Sequence, residues 1–137
     1  MSGGTKQVLQ IDGSRFDDYA GFGREFSMLL SDYEWRENLD AFNDILRGGF
    51  GTPEDGFVLR WLNSEQSRQA LGWPETISYL ERKLTRCHPT NRELVRADIE
   101  SAKRGEGQTL FELLVEIIRY HGPGGDEADS NVDLELV

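Results

Sequence analysis

With 137 residues, 37% of them hydrophobic and 10% aromatic, the chain can bury one substantial core, and a single domain over residues 1–137 is expected. Asp and Glu number 25 against 15 Lys and Arg, a formal net charge of −10 that argues against direct binding of a nucleic-acid backbone and in favour of a basic partner. No stretch approaches the ~20 apolar residues of a membrane span, and the opening MSGGTKQ lacks the basic-then-apolar order of a secretory signal, so a cytoplasmic location without membrane contact is expected.

The first five residues read as a flexible N-terminus. Gln7 to Ile11 (QVLQI) then predicts a strand, ended by Asp12 and Gly13. Phe16, Tyr19, Phe22, Phe26, Leu29 and Leu30 recur at helical spacing, which predicts a core-facing helix over Asp17–Ser31 despite Gly21 and Gly23. That aromatic stripe reads as core and not as a platform for stacking bases.

Asn38 supplies an N-cap for a short helix in which Leu39, Phe42, Ile45 and Leu46 gather on one side while Glu37, Asp40 and Asp44 gather on the other. Asp40 lies in the first turn, where the helix dipole favours a negative charge. Asp44 lies a turn further on, and like charges at this spacing repel by about 0.2–0.5 kcal/mol. Of the helical neighbours of Asp44, Arg47 is basic, whereas Ala41 and Gly48 are not and Asp40 is itself acidic. Asp44 is therefore the carboxylate least explained by local structure. Taken alone, the stripe fits a solvated face of an acidic protein as well as it fits a binding surface.

Phe57 to Leu62 (FVLRWL) predicts a second strand, and Ser64 to Leu71 (SEQSRQAL) a helix stopped by Gly72. Residues 73–104 then predict an inserted helical hairpin. Pro74 in a first turn precedes Ile77, Leu80 and Leu84, and the capping-box spacing of Thr90 and Glu93 starts a second helix carrying Leu94, Val95 and Ile99. This segment holds seven basic against five acidic residues, so the negative charge belongs to the remainder of the chain. Ordinary helical spacing of its apolar residues makes it an extension of the core first and a second contact surface only secondarily. Thr109 to Tyr120 predicts a strongly apolar helix stopped by Gly122, Gly122 to Asn131 an exposed loop, and Val132 to Val137 a last strand. Strands alternating with helices predict an α/β fold: a small three-stranded parallel sheet packed with helices.

Signatures of catalysis are missing: there is no G-x-S-x-G elbow, no phosphate-cradling glycine loop, and no His beside a nucleophile in the sequence. Asp40 and Asp44 sit side by side on one helical turn, whereas a glycosidase pair must face across a cleft. Cys87 is the sole cysteine, and with His88 and His121 it offers no ligand cluster, so neither metal nor cofactor is expected.

The segment ENLDAFNDIL, Glu37 to Leu46, closely resembles the helix of the barstar family of intracellular ribonuclease inhibitors, and VLRWLNSEQSRQAL, Val58 to Leu71, is similar to that family's aromatic strand and E-Q-S-x-Q helix. The opening strand, last helix and closing strand also fall in the family's order, so the resemblance covers roughly residues 6–71 and 109–137 and leaves the hairpin without a counterpart. It implies a barstar-like fold that is not an enzyme and that binds one small basic bacterial ribonuclease, or another basic toxin, as a monomer in a 1:1 complex. Asp40 and Asp44 are then the inhibitory carboxylates, Asp44 reaching the centre of the nuclease cleft, with Tyr33 and Trp35 as flanking aromatics and Glu34 where the family has an aromatic. The chain departs from the pattern at Arg36 in place of Gly, Asn43 in place of Trp, and Gly48 and Gly49 in place of an aromatic. An acidic contact from the last helix falls on Glu116, with Ile117 competing for the place. The alternative is a regulatory or immunity-type module that uses the same acidic face on a basic protein that is not a ribonuclease.

Overall fold

The computed structural model describes residues 6–30, 33–35, 38–48, 50–53 and 55–137. Glu37, Arg36, Gly49, Ser31 and the expected flexible N-terminus at 1–5 lie outside the described residues.

Three strands, β1 (Val8–Asp12), β2 (Phe57–Leu62) and β3 (Val132–Leu136), form a parallel sheet in the order β1-β2-β3. Val8 pairs with Val58 and Ile11 with Trp61 across the first ladder, and Phe57 with Val132 and Leu59 with Leu134 across the second. Period-two alternation then divides the sheet. Leu9, Ile11, Phe57, Leu59, Trp61 and Val132 are buried, whereas Val8, Gln10, Val58 and Arg60 on the alternate positions keep contact with solvent. On that second face Arg60 Nε bonds Glu135 Oε1 at 2.8 Å, a cross-strand pair set by the register.

The first crossover contains α1 (Tyr19–Ser27) and α2 (Leu39–Leu46). The observed α1 is shorter than the apolar spacing predicts. Asp18 is its N-cap, its carboxylate accepting from Gly21 N at 2.7 Å, so Asp17 lies before the helix, and the regular turns end at Ser27. Phe22 sits at the centre of the core, its ring 5.2 Å from Trp61, 5.8 Å from Phe26 and 5.8 Å from Trp35. Such ring clusters add edge and offset contacts to the ordinary gain from burying apolar area.

The second crossover holds α3 (Ser64–Ala70), α4 (Trp73–Arg86), α5 (Arg92–Lys103) and α6 (Leu110–Tyr120). α4 and α5 pack on each other, with Val95, Ile99 and Ala102 of α5 buried. The first half of α4 is bound to the body: Glu75 Oε2 accepts from Tyr19 N at 2.7 Å, Tyr79 stands edge-on to Tyr19, and Thr76 Oγ1 accepts from Leu110 N at 2.9 Å. The capping box predicted at Thr90 and Glu93 is not made. His88 Nδ1 takes both the hydroxyl and the amide of Thr90, a short 3-10 turn spans Pro89–Asn91, and α5 starts from Asn91 without a side-chain cap. A complete capping box stands instead at Thr109 and Glu112, at the head of α6.

The segment from Gly122 to Asn131 is exposed over most of its length, as its composition predicts, but it is tied down at several points. Gly122 is buried, Ser130 Oγ lies 2.9 Å from His121 Nδ1, and Asn131 Nδ2 donates to Asp55 O at 3.1 Å. Among the described residues no helix is long and apolar enough to cross a membrane.

Candidate functional site: the acidic face of α2

α2 is fixed at both ends and along one side. Asn38 Oδ1 accepts from Ala41 N at 3.0 Å, satisfying a donor that the first turn leaves open. Trp35 braces the same end: its Nε1 donates to Asn38 O at 2.6 Å, while its amide donates to Ser27 Oγ and its carbonyl accepts from that hydroxyl. At the other end Gly48 takes a φ of 100°, in the left-handed region that suits glycine, and its amide bonds Ile45 O. Thr52 Oγ1 also donates to Ile45 O, at 2.9 Å. Phe42, Ile45 and Leu46 are buried, which turns Asp40 and Asp44 to solvent.

Asp44 is not as isolated as its helical neighbours imply. Its Oδ1 receives Arg47 Nη1 at 2.5 Å, and the rest of the same guanidinium is held by Glu127, Nε to Oε1 at 2.7 Å and Nη2 to Oε2 at 2.8 Å. The forked bond with Arg47 draws the Glu127 carboxyl below its ordinary range and raises Arg47 in return. Beneath this surface pair lies His121, wholly buried, with Nε2 2.6 Å from Asn43 Oδ1. A carbonyl oxygen only accepts, so the ring carries its proton on Nε2 and Ser130 Oγ donates to Nδ1. Burial pushes the imidazole below its usual pKa, partly opposed by the charge of Glu127.

Of the residues singled out from the sequence, Asp40, Asp44, Tyr33 and Glu34 are exposed, and Asn43 is half-buried on the His121 side. Tyr33 packs its ring 5.0 Å from Phe50, so an exposed aromatic does follow the helix, beyond the two glycines. Trp35 does not join them on the surface. It is 2% exposed and ringed by Tyr19, Phe22, Phe26 and Phe42, which makes it core. Glu116 is exposed on α6 and bonds Gln108, beside a groove lined by Arg68, Phe111, Val115 and Leu136 on the α3 and β3 flank. Leu110 and Leu113 of α6 line a cleft that also takes in Leu39 of α2, and Ile117 packs against the core. At the other end of the acidic face, Asp40 shares a cleft with Lys83 and Arg86 of α4. Arg47 was visible three positions from Asp44, but Glu127 is 80 positions from Arg47 and no local signal joins them. Among the described residues, no group of three or more His, Cys, Asp or Glu could hold a metal ion.

The fold and this face define a small α/β protein that presents carboxylates on a rigidly held helix. A family model described as Barstar (barnase inhibitor) matches residues 6–96, and the chain belongs to the barstar family, whose members inhibit ribonucleases of the barnase type. The match runs through α4 and into α5 and stops before α6 and β3, so it includes most of the segment expected to lack a family counterpart. No curated protein and no solved structure matches the chain.

Proposed function

We propose that this chain is a cytoplasmic inhibitor of a small basic ribonuclease and acts as a monomer that plugs the active site in a 1:1 complex. The observation that carries this reading is the exposure of Asp40 and Asp44 on a helix capped by Asn38, braced by Trp35 and seated on Phe42, Ile45 and Leu46. A nuclease that cleaves phosphodiesters gathers cations at its cleft, and a carboxylate held in place can occupy the phosphate position with charge-assisted hydrogen bonds and little ordering cost. Inhibition then needs no chemistry from the inhibitor. Family membership supports the partner class.

The rim differs from the one the resemblance implies. Tyr33 and Phe50 supply its exposed aromatic surface, Glu34 lies beside them, and Asn43 is committed to His121. Glu116, on the outer surface of α6, is a peripheral contact at most.

The test is titration of a panel of small basic bacterial ribonucleases with wild type and Asp44→Ala. Stoichiometric inhibition by wild type is expected, with affinity reduced by about 2–5 kcal/mol in the variant, the range for truncating one partner of a desolvated interfacial charge pair. Equal affinity of the two proteins refutes the plug. Absence of inhibition across the panel transfers the acidic face to a basic partner of another kind.

A further inference from the structure

We propose that Arg47 is a specificity-determining residue of the α2 surface: it holds Asp44 in an internal ion pair that a partner must break, so that partners are selected by their ability to displace a guanidinium. The proposal rests on the reading of α2 as the inhibitory helix and concerns how Asp44 is made available.

The geometry is that of a forked cation shared by two carboxylates. Nη1 reaches Asp44 at 2.5 Å, while Nε and Nη2 engage both oxygens of Glu127 at 2.7 and 2.8 Å. Glu127 is itself anchored: its amide donates to Tyr120 O at 2.9 Å, and the turn that follows is tied to His121 through Ser130. Arg47 is thus held in place before any partner arrives, and the cost of ordering its side chain is already met in the free protein. Asp44 presents a carboxylate with one oxygen occupied.

Two consequences follow for recognition. A partner cation gains little by approaching Asp44 unless it replaces the bond that Arg47 makes, which a guanidinium can do in kind and an ammonium, with no planar fork, does less well. Arg47, once displaced, also stands as a positive charge at the edge of a surface meant for a basic protein, and like charges disfavour any partner that offers it no carboxylate or open solvent. A solely structural role for Arg47, tying the 122–131 segment to α2, makes a different prediction, because its removal would then loosen the surface and weaken binding.

The experiment compares wild type, Arg47→Ala, Arg47→Lys, Asp44→Ala and the Asp44→Ala/Arg47→Ala double variant. Each is titrated with fluorescein-labelled hexa-arginine at near-physiological salt, with amide shifts mapped by NMR, and against any ribonuclease of the panel that wild type inhibits. Arg47→Ala is expected to bind about two- to fivefold tighter, the span an exposed ion pair covers, with shifts centred on residues 44 and 47. Arg47→Lys, which keeps the net charge and loses the fork, is expected to recover part of that gain. In the Asp44→Ala background the gain is expected to vanish.

Arg47→Ala binding no tighter than wild type overturns the proposal, as does an equal gain in the absence of Asp44, which would be a long-range effect of net charge. Should Arg47→Ala disturb the 122–131 segment, seen as lost shifts at Ser130 and His121, Arg47→Gln carries the same comparison. Because the peptide needs no nuclease, a panel without inhibition sinks the functional reading alone and leaves the competition of Arg47 for Asp44 still decided by hexa-arginine.

Discussion

Replacing Trp35 is expected to separate stability from binding in this chain. The side chain is 2% exposed, its ring centroid lies 5.2 to 5.8 Å from those of Tyr19, Phe22, Phe26 and Phe42, and its indole N–H donates to Asn38 O at 2.6 Å. Truncation to Ala removes a large buried ring and leaves a cavity, at about 3–5 kcal/mol, a large part of the ~5–15 kcal/mol that holds a domain together. Trp35→Phe is the sharper probe. It keeps a ring among the aromatic neighbours and loses the indole N–H and the second ring. The carbonyl it leaves behind is not orphaned, since Phe42 N still donates to Asn38 O at 3.0 Å. The loss is therefore a hydrogen bond at about 0.5–1.5 kcal/mol plus a small void, about 2 kcal/mol together. Urea unfolding followed by circular dichroism is expected to show that loss. Affinity for a ribonuclease inhibited by wild type is expected to stay within about twofold, measured where both proteins are folded. A tenfold loss of affinity with an unchanged unfolding midpoint would show that Trp35 contacts the partner and would refute its assignment to the core.

Three further outcomes test the frame around α2. Thr76→Val is expected to cost about 1–3 kcal/mol in urea unfolding, because Leu110 N, buried at the head of α6, loses the hydroxyl that accepts it at 2.9 Å. Gly56→Ala is expected to be worse than Gly124→Ala by thermal melting. Both glycines have positive φ, about 1–2 kcal/mol against any L side chain, but a Cβ on Gly56 would come 2.2 Å from Asn131 O while one on Gly124 meets nothing within 4 Å. His121, with its pKa lowered by burial, binds protons more readily in the unfolded chain, so stability is expected to fall as pH drops below the ordinary imidazole value of about 6.5, by up to about 1.4 kcal/mol per unit until the folded value is reached. His121→Gln should flatten that slope. The contribution of Glu127, whose pKa is also lowered, is retained there and is lost only below the ordinary carboxylate range.

Local signals in the sequence were legible to the residue in places. β2 spans Phe57–Leu62 as predicted because its alternating pattern is bounded by Gly56 and Asn63, two positive-φ positions, and Asn38 caps α2 because a short polar acceptor precedes an apolar run. The misreadings share a cause, which is competition between partners that are close in space or equally plausible in sequence. Thr90 has the spacing of a cap, but His88 captures it. Trp35 stands beside the carboxylate-bearing helix α2, and nothing local distinguishes an aromatic at a rim from one under it. Gly122 to Asn131 is largely exposed, as its composition predicts, but nothing local foretells that Glu127 and Ser130 fasten it to α2 and α6 through Arg47 and His121. Asn43 and His121 are 78 positions apart, and their contact follows from the packing of α2 on α6, which no short window contains.

On the proposed function, attraction and selection reside in different parts of the molecule. The net charge of −10 comes from the chain outside residues 73–104, and a field of that origin accelerates encounter with any cationic partner and fades over about a Debye length, ~8 Å at physiological salt. At α2 itself the charge is more nearly balanced: Asp40 shares a cleft with Lys83 and Arg86, and Asp44 shares Arg47 with Glu127. If α2 is the inhibitory surface proposed above, a partner drawn in by the body meets a short acidic stripe flanked at both ends by cations and docks only if its own positive groups fall on that stripe and avoid the ends. On that reading salt and remote charges act on the association rate, whereas Asp44, Arg47 and the aromatic pair of Tyr33 and Phe50 act on the dissociation rate. On the proposed reading, an equally acidic protein whose α2 was not capped at Asn38 and seated on Phe42, Ile45 and Leu46 would keep the first property and lose the second, because selection there depends on carboxylates that do not move when the partner arrives.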